Sequence, residues 1–108
     1  MIRGTTPTLE LKVPEDKLDI STITSLLIPI AQRDDVIVLK DMSDVQMDYE
    51  NNIIGVYLSE EETFGFEVGN AEIQLIYWIG ESKMASLITK FRITKILYDK
   101  DTKPSNDE

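Results

Sequence analysis

Residues 71–97 read AEIQLIYWIGESKMASLITKFRITKIL. Ala71, Ile73, Leu75, Tyr77 and Ile79 alternate with Glu72, Gln74, Ile76 and Trp78. Beyond Gly80-Glu81-Ser82, Ala85, Leu87, Phe91 and Ile93 alternate with Ser86, Ile88, Lys90, Arg92 and Thr94. A period of two sustained this long predicts two strands, each with one buried face. The glycine between them predicts a hairpin and leaves its turn type open.

Outward from this hairpin the same period recurs. Ile54, Val56 and Leu58 make a buried face with Gly55 and Tyr57 opposite, and Val45 and Met47 alternate with Asp44, Gln46 and Asp48. Glu50-Asn51-Asn52 separates these two strands as a turn, because asparagine tolerates positive φ. Val36 to Leu39 reads as a strand returning antiparallel to residues 26–31 across the turn Arg33-Asp34-Asp35, and Asp41-Met42-Ser43 ends it. Residues 26–31, Leu-Leu-Ile-Pro-Ile-Ala, form a nearly continuous apolar run, which predicts a strand covered on both faces. Pro29 cannot donate to a ladder, so this strand is expected at an edge or with a bulge. Leu9, Leu11 and Val13 begin the series as a half-buried strand ended by Pro14-Glu15-Asp16. Asp19 to Ile23 allows a capped helical turn or a tight crossover. The β-branched residues there favour the crossover.

One helix is signalled. Ser59 with Glu62 three residues on is a capping box, the acidic first turn suits the helix dipole, and Gly65 stops the helix. Glu60 to Phe64 is therefore expected as a short helix crossing between sheets, with Phe64 or Phe66 plugging the open end of the core.

The expected fold is all-β: an antiparallel immunoglobulin-like β-sandwich of about seven strands with one short helix. A small barrel has the same periodicity and is the runner-up. Residues 1–98 make one domain, with residues 1–8 as an N-terminal arm, and residues 99–108 are expected as a disordered acidic tail. A chain of 108 residues buries roughly two-thirds of its extended surface on folding, enough for one core. The antibody-type cysteine pair is missing, and Trp78 falls on a late strand rather than the third.

Composition narrows the chemistry. There is no cysteine and no histidine, which removes thiol catalysis, disulfides, the usual general base and the commonest zinc ligand. The serines have no base to activate them, and the five glycines form no phosphate loop. Asp99 and Asp101 suggest a calcium loop, but its fifth position would be Lys103 and the required glycine is missing. No catalytic residue, cofactor or metal is expected. A net charge of −9 argues against nucleic acid and against an anionic membrane surface. No apolar run spans a bilayer, and the first residues lack a signal peptide's apolar stretch, so a cytoplasmic site of synthesis is expected. Residues 41–82 hold ten acidic side chains and no Lys or Arg. That interval reads either as a solvated face or as a docking surface for a basic protein.

Association is the remaining theme. Tyr57, Ile76 and Trp78 lie opposite the core residues of their strands. They read either as covering an edge of the sandwich or as an apolar patch for a neighbouring subunit. The neutral arm, with Ile2, Arg3 and Thr5, reads either as pairing within its own sandwich or as adding to a neighbour's sheet.

The octet Met1-Ile2-Arg3-Gly4-Thr5-Thr6-Pro7-Thr8, leading directly into an alternating strand, resembles the start of a group of small phage and prophage proteins of Gram-positive and gut bacteria. The likeness continues at Ala31-Gln32, at Leu58-Ser59-Glu60-Glu61-Glu62-Thr63-Phe64, at Glu72-Ile73-Gln74 and at Ile96-Leu97, covering most of residues 1–97. Pro29 and the long acidic interval depart from that pattern. The resemblance implies a virion structural component of the tail, baseplate or neck, made in the host cytoplasm and built into the particle. Its contacts are with other virion proteins or with copies of itself, and no catalytic residues are inherited. The alternative is a free prophage-encoded cytoplasmic binding module or inhibitor of a host protein.

Overall fold

The apolar run that contains Pro29 is the middle of the molecule. In the computed structural model, which describes residues 1–86 and 88–97, strand β2 (Ser25–Gln32) pairs along one side with β3 (Asp35–Asp41). Along the other side it pairs with β7 (Ile76–Ile79) through residues 25–27, and with β6 (Gly69–Ile73) through Ile30 and Ala31. Pro29 is thus neither at an edge nor outside the sheet, contrary to the first expectation. Leu27↔Ile76 and Ile30↔Ile73 lie on one continuous register, so β6 and β7 are one chain pass whose ladder lapses at Pro29. The Pro29 carbonyl still accepts from the Gln74 amide at 3.3 Å, and only the bond its missing N–H would have made is absent. A bulge does occur, one step on: the β2–β3 register shifts between Ile30 and Ala31, leaving Ile37 as the extra residue.

The hairpin of residues 71–97 forms with a two-residue loop, since Ile79 pairs with Ser82. Gly80 has φ +62 and Glu81 is not left-handed, the pattern of a type II′ turn. Strand β8 (Ser82–Ala85) pairs with β7 and β9 (Thr89–Ile93) pairs with β6, but the registers differ by one residue. Ser86 sits at this bulge. Its amide donates to the Leu75 carbonyl at 2.8 Å and its hydroxyl accepts from the Leu75 amide at 3.0 Å. The shift flips the expected alternation. Phe91 and Ile93 face inward as expected, whereas Ala85 lies opposite Ile76 and is exposed, and Met84 takes the inward place. Leu87, expected in the core, lies outside the described residues, as does the expected acidic tail.

A smaller sheet has the order β1 (Thr8–Lys12), β5 (Ile53–Tyr57), β4 (Val45–Asp48). Among the described residues nine strands form two antiparallel sheets, an all-β sandwich. Counting β6–β7 and β8–β9 as single passes gives the seven expected from the sequence. The strand order is its own. In antibody domains the second strand lies beside the first and fifth, whereas here it sits between the third and the sixth. Leu9, Leu11, Ile54, Val56, Val45 and Met47 from the small sheet meet Leu26, Ile28, Ile30, Val38, Ala71, Ile73, Leu75 and Ile93 from the large one.

Three local devices join the layers. Residues 20–22 form a 3-10 turn capped by the Asp19 carboxylate, not the plain crossover favoured from the sequence. A single turn needs little helix propensity once Asp19 satisfies the Ser21 amide and Ile20 is fully buried. Asn52, left-handed at φ +56 and buried, donates to the carbonyls of Val13 and Leu18 and accepts from the Ile20 amide. It therefore ties the β4–β5 turn to the link between sheets. Helix α1 (Glu60–Phe64) carries the expected capping box: the Glu62 amide donates to Ser59 Oγ at 3.1 Å, and the Ser59 amide to Glu62 Oε1 at 2.9 Å. It links β5 to β6, and Phe66, 1% exposed, plugs the core beneath it. Gly65 ends the helix without a left-handed φ. A Cβ there would lie 3.2 Å from both the Glu62 carbonyl and Ile37, so a side chain would crowd both and push them by a few tenths of an ångström.

Candidate functional site

The surface most unlike an ordinary solvated face is the outward side of the large sheet. Along β2, Leu26, Ile28 and Ile30 point into the core, so Leu27, Pro29 and Ala31 point away from it and are half-buried. Residues directly opposite across a ladder share a face. Leu39 therefore joins Pro29, Val36 joins Ala31, and Ile76 and Ala85 join Leu27. Trp78, opposite Ser25 and Lys83, extends the stripe, and the Lys83 ammonium lies 5.4 Å from its ring centroid. Glu72 and Lys90 face each other at the polar end. The continuous apolar run at residues 26–31 is thus covered on one face only by its own chain.

The candidate interface residues fall into three places. Ile76 and Trp78 share the outward face of the large sheet. Tyr57, 52% exposed, pairs with Thr8 on the outward face of the small sheet, at the far side of the sandwich. A single patch made of Tyr57, Ile76 and Trp78 is thereby corrected to two, because β5 and β7 belong to different sheets. Ile2, Arg3 and Thr5 make the third place. Here the arm bonds to its own chain: Ile2 bridges Thr94, the Arg3 amide donates to the Thr94 carbonyl, and the Thr94 amide donates to the Met1 carbonyl.

The arm is also clamped onto α1. Arg3 Nε donates to the Phe66 carbonyl at 2.7 Å, and its guanidinium lies 5.0 Å from the Phe64 ring centroid. The buried Thr63 hydroxyl accepts from the Gly4 amide at 3.0 Å and reaches the Thr5 carbonyl at 2.7 Å. Gly4 has φ +83, and a Cβ there would lie 2.8 Å from the Phe64 ring. Ile2 remains exposed while Arg3 and Thr5 are half-buried. Residues 1–5 and 63–66, far apart in the sequence, thus interlock in space.

The acidic interval is not one surface. Glu62 on α1 holds Lys40 from β3 at 2.8 Å, and Glu67 holds Arg33 at 2.6 Å. Asp44 precedes β4, Asp48 ends it, and Glu72 lies on the large sheet. Burial opposes charge on Glu62, but hydrogen bonds from Lys40 and the Ser59 amide outweigh it and hold the carboxyl below its ordinary value. Asp19, Asp41 and Asp48 are lowered by side-chain hydrogen bonds from Ser21, Ser43 and Asn51 respectively, reinforced by backbone amides. These carboxylates cap turns. Among the described residues no group of three or more metal-ligating side chains converges.

A groove of about 580 Å³ opens between the β1 edge and the bulge at Ser86. Leu11, Val13, Leu18, Leu75 and Tyr77 line it, with Lys12 and Lys17 among the polar lining residues. Sequence reasoning missed it, because its walls come from residues 10–18 and 73–89, which only the fold brings together. The exposed β3 segment was also missed, although Val36 to Leu39 carries a readable signal: four apolar residues in a strand with no charge among them. Compared with models of protein families and with curated proteins, the chain matches none.

Proposed function

We propose that this chain is a structural assembly protein of a bacteriophage or phage-derived particle, a component of its tail, baseplate or neck that acts through protein–protein contacts. Its partners are other virion proteins or copies of itself, and it carries out no reaction. The observation that carries the association reading is the apolar outward face of the large sheet, with Leu27, Leu39, Ile76 and Trp78 on a chain otherwise rich in charge. The phage reading rests on the resemblance, which covers most of residues 1–97. The exposed Ile2 offers a third contact beside the arm. Carboxylates of residues 41–82 that are not paired within the chain would face a basic protein surface, making assembly weaken as salt rises. Quantitative mass spectrometry of purified particles tests this: many copies per particle are expected. Its absence from particles, with the chain recovered free in the cytoplasm, would replace the reading by that of a prophage-encoded binding module acting on a host protein.

A further inference from the structure

We propose that two copies of this chain pair antiparallel through β3, joining their large sheets edge to edge. The proposal names a partner for the association reading above and rests on it only in taking association as the chain's mode of action.

The edges of the two sheets differ in how they meet water. β1 carries Glu10 and Lys12; β4 is four residues long and ends in Asp48. The β8–β9 edge carries Lys83, Lys90 and Arg92, and its far end is bonded to residues 1–3. Short length, charge and a covering segment are the usual means of keeping an edge unpaired. β3 is seven residues long and, among the described strands, pairs with β2 alone. Its centre is Val36-Ile37-Val38-Leu39, with Val36 58% and Leu39 56% exposed. Its charges lie only at the ends; the bulge at Ile37 and the end of α1, where Glu62 meets Lys40 and Gly65 lies against Ile37, are what blunts it.

That bulge selects a register. Val36 and Leu39 point outward, whereas Asp35, opposite Gln32, and Lys40, opposite Ile28, point inward. A two-fold axis between Ile37 and Val38 sets Val36 against Leu39 of the second copy, outward against outward. It also sets Asp35 against Lys40 of the second copy, inward against inward and acid against base. A slip of one residue either way places outward residues against inward ones and loses that charge match. Two chains of net charge −9 repel, so a self-contact favours a stretch of low net charge: β3 carries Asp35, Lys40 and Asp41, a net −1, around an uncharged centre, and the same register leaves Asp41 beside Asp34 of the second copy at each end. Lys40, already beside Glu62, would then lie between two carboxylates. Pairing also brings the stripes that contain Leu39, Pro29, Leu27 and Ile76 side by side on one larger face.

The absence of cysteine makes the register directly testable. Residues opposite each other in an antiparallel pair have Cβ atoms about 4.5–5.5 Å apart, close enough for a disulfide after small shifts. Val36→Cys and Leu39→Cys variants of the full chain, mixed under mild oxidation, are expected to cross-link several-fold faster than either alone. In light scattering the wild type is expected as a dimer. Val36→Lys and Asp35→Lys should shift it toward monomer, with circular dichroism and the melting temperature checking the fold. If Val36→Lys unfolds, Asp35→Lys at the exposed strand end carries the test. A wild type monomeric at every concentration, a dimer that survives Asp35→Lys, or equal cross-linking of mixed and unmixed variants would each overturn the pairing. Particle mass spectrometry is independent of these outcomes. A solution monomer found in particles sinks β3 pairing and leaves the particle reading, while a β3 dimer absent from particles does the reverse.

Discussion

The outward faces of the two sheets are built on the same backbone pattern and filled with different chemistry. On the small sheet, Thr8, Glu10 and Lys12 of β1 lie across from Tyr57, Gly55 and Ile53, and Gln46 and Asp48 flank the other side. This is the polar-out arrangement expected of an antiparallel sheet with one wet face. On the large sheet the corresponding positions are Leu27, Pro29 and Ala31 in the centre, Val36 and Leu39 on β3, and Ile76, Trp78 and Ala85 on the other side. Both inward faces are apolar at their centres, so the core itself does not distinguish the sheets. The difference lies in residues that the core does not use, and an exposed apolar face of that kind is the feature the association proposal rests on.

The largest expected effect separates the two faces of β2. Leu26→Ala removes a side chain 1% exposed and should cost about 2–5 kcal/mol in urea unfolding, through lost transfer energy and the cavity left behind. Leu27→Ala, one residue on and outward, should cost well under half of that while weakening association. Equal losses at the two positions would mean that the outward face belongs to the monomer's core, and the contrast between sheets would collapse.

Asn52→Ala tests the tie between the layers. It strands the Ile20 amide and the Val13 and Leu18 carbonyls, and each buried unpaired group costs about 1–3 kcal/mol, so a loss of at least about 2 kcal/mol is expected. A melting temperature unchanged from wild type would show that the link of residues 13–24 holds without it. Ser59→Ala removes one half of the capping box and should cost about 0.5–2 kcal/mol by the same measurement, without altering association.

The smallest effect concerns Glu62. Its folded carboxyl titrates below the ordinary value of 4.5, so the stability it contributes is fully present above about pH 4.5 and is lost as pH falls through the lowered folded value. In Lys40→Met, the decline in melting temperature below pH 4.5 should be shallower than in wild type. An identical acid limb in both proteins would remove Lys40 as the cause.

Much of the small sheet and of the helix was legible. Ile54, Val56 and Leu58 are fully buried as their alternation indicates, Asn52 adopts the positive φ expected of the turn, and Ser59 and Glu62 cap each other. These features depend on neighbours within a few residues, so local periodicity and side-chain reach determine them. Leu75, 5% exposed, likewise keeps the face its alternation assigned.

What the sequence by itself determined, then, is which residues leave water where one face alternates: the odd-numbered face of residues 71–75, the even-numbered face of residues 54–58, the capped helix and the turn before β5. Only the tertiary structure decided which sheet each strand joins. That choice placed Tyr57 on one side of the molecule and Ile76 with Trp78 on the other, put Pro29 in a central strand, and turned Ala85 outward through a bulge. It also left β3, among the described strands, paired with β2 alone. The reason is physical: alternation records whether a side chain is buried, while strand pairing is set by contacts between residues far apart in the chain, and a single extra residue in such a pairing reverses the faces beyond it.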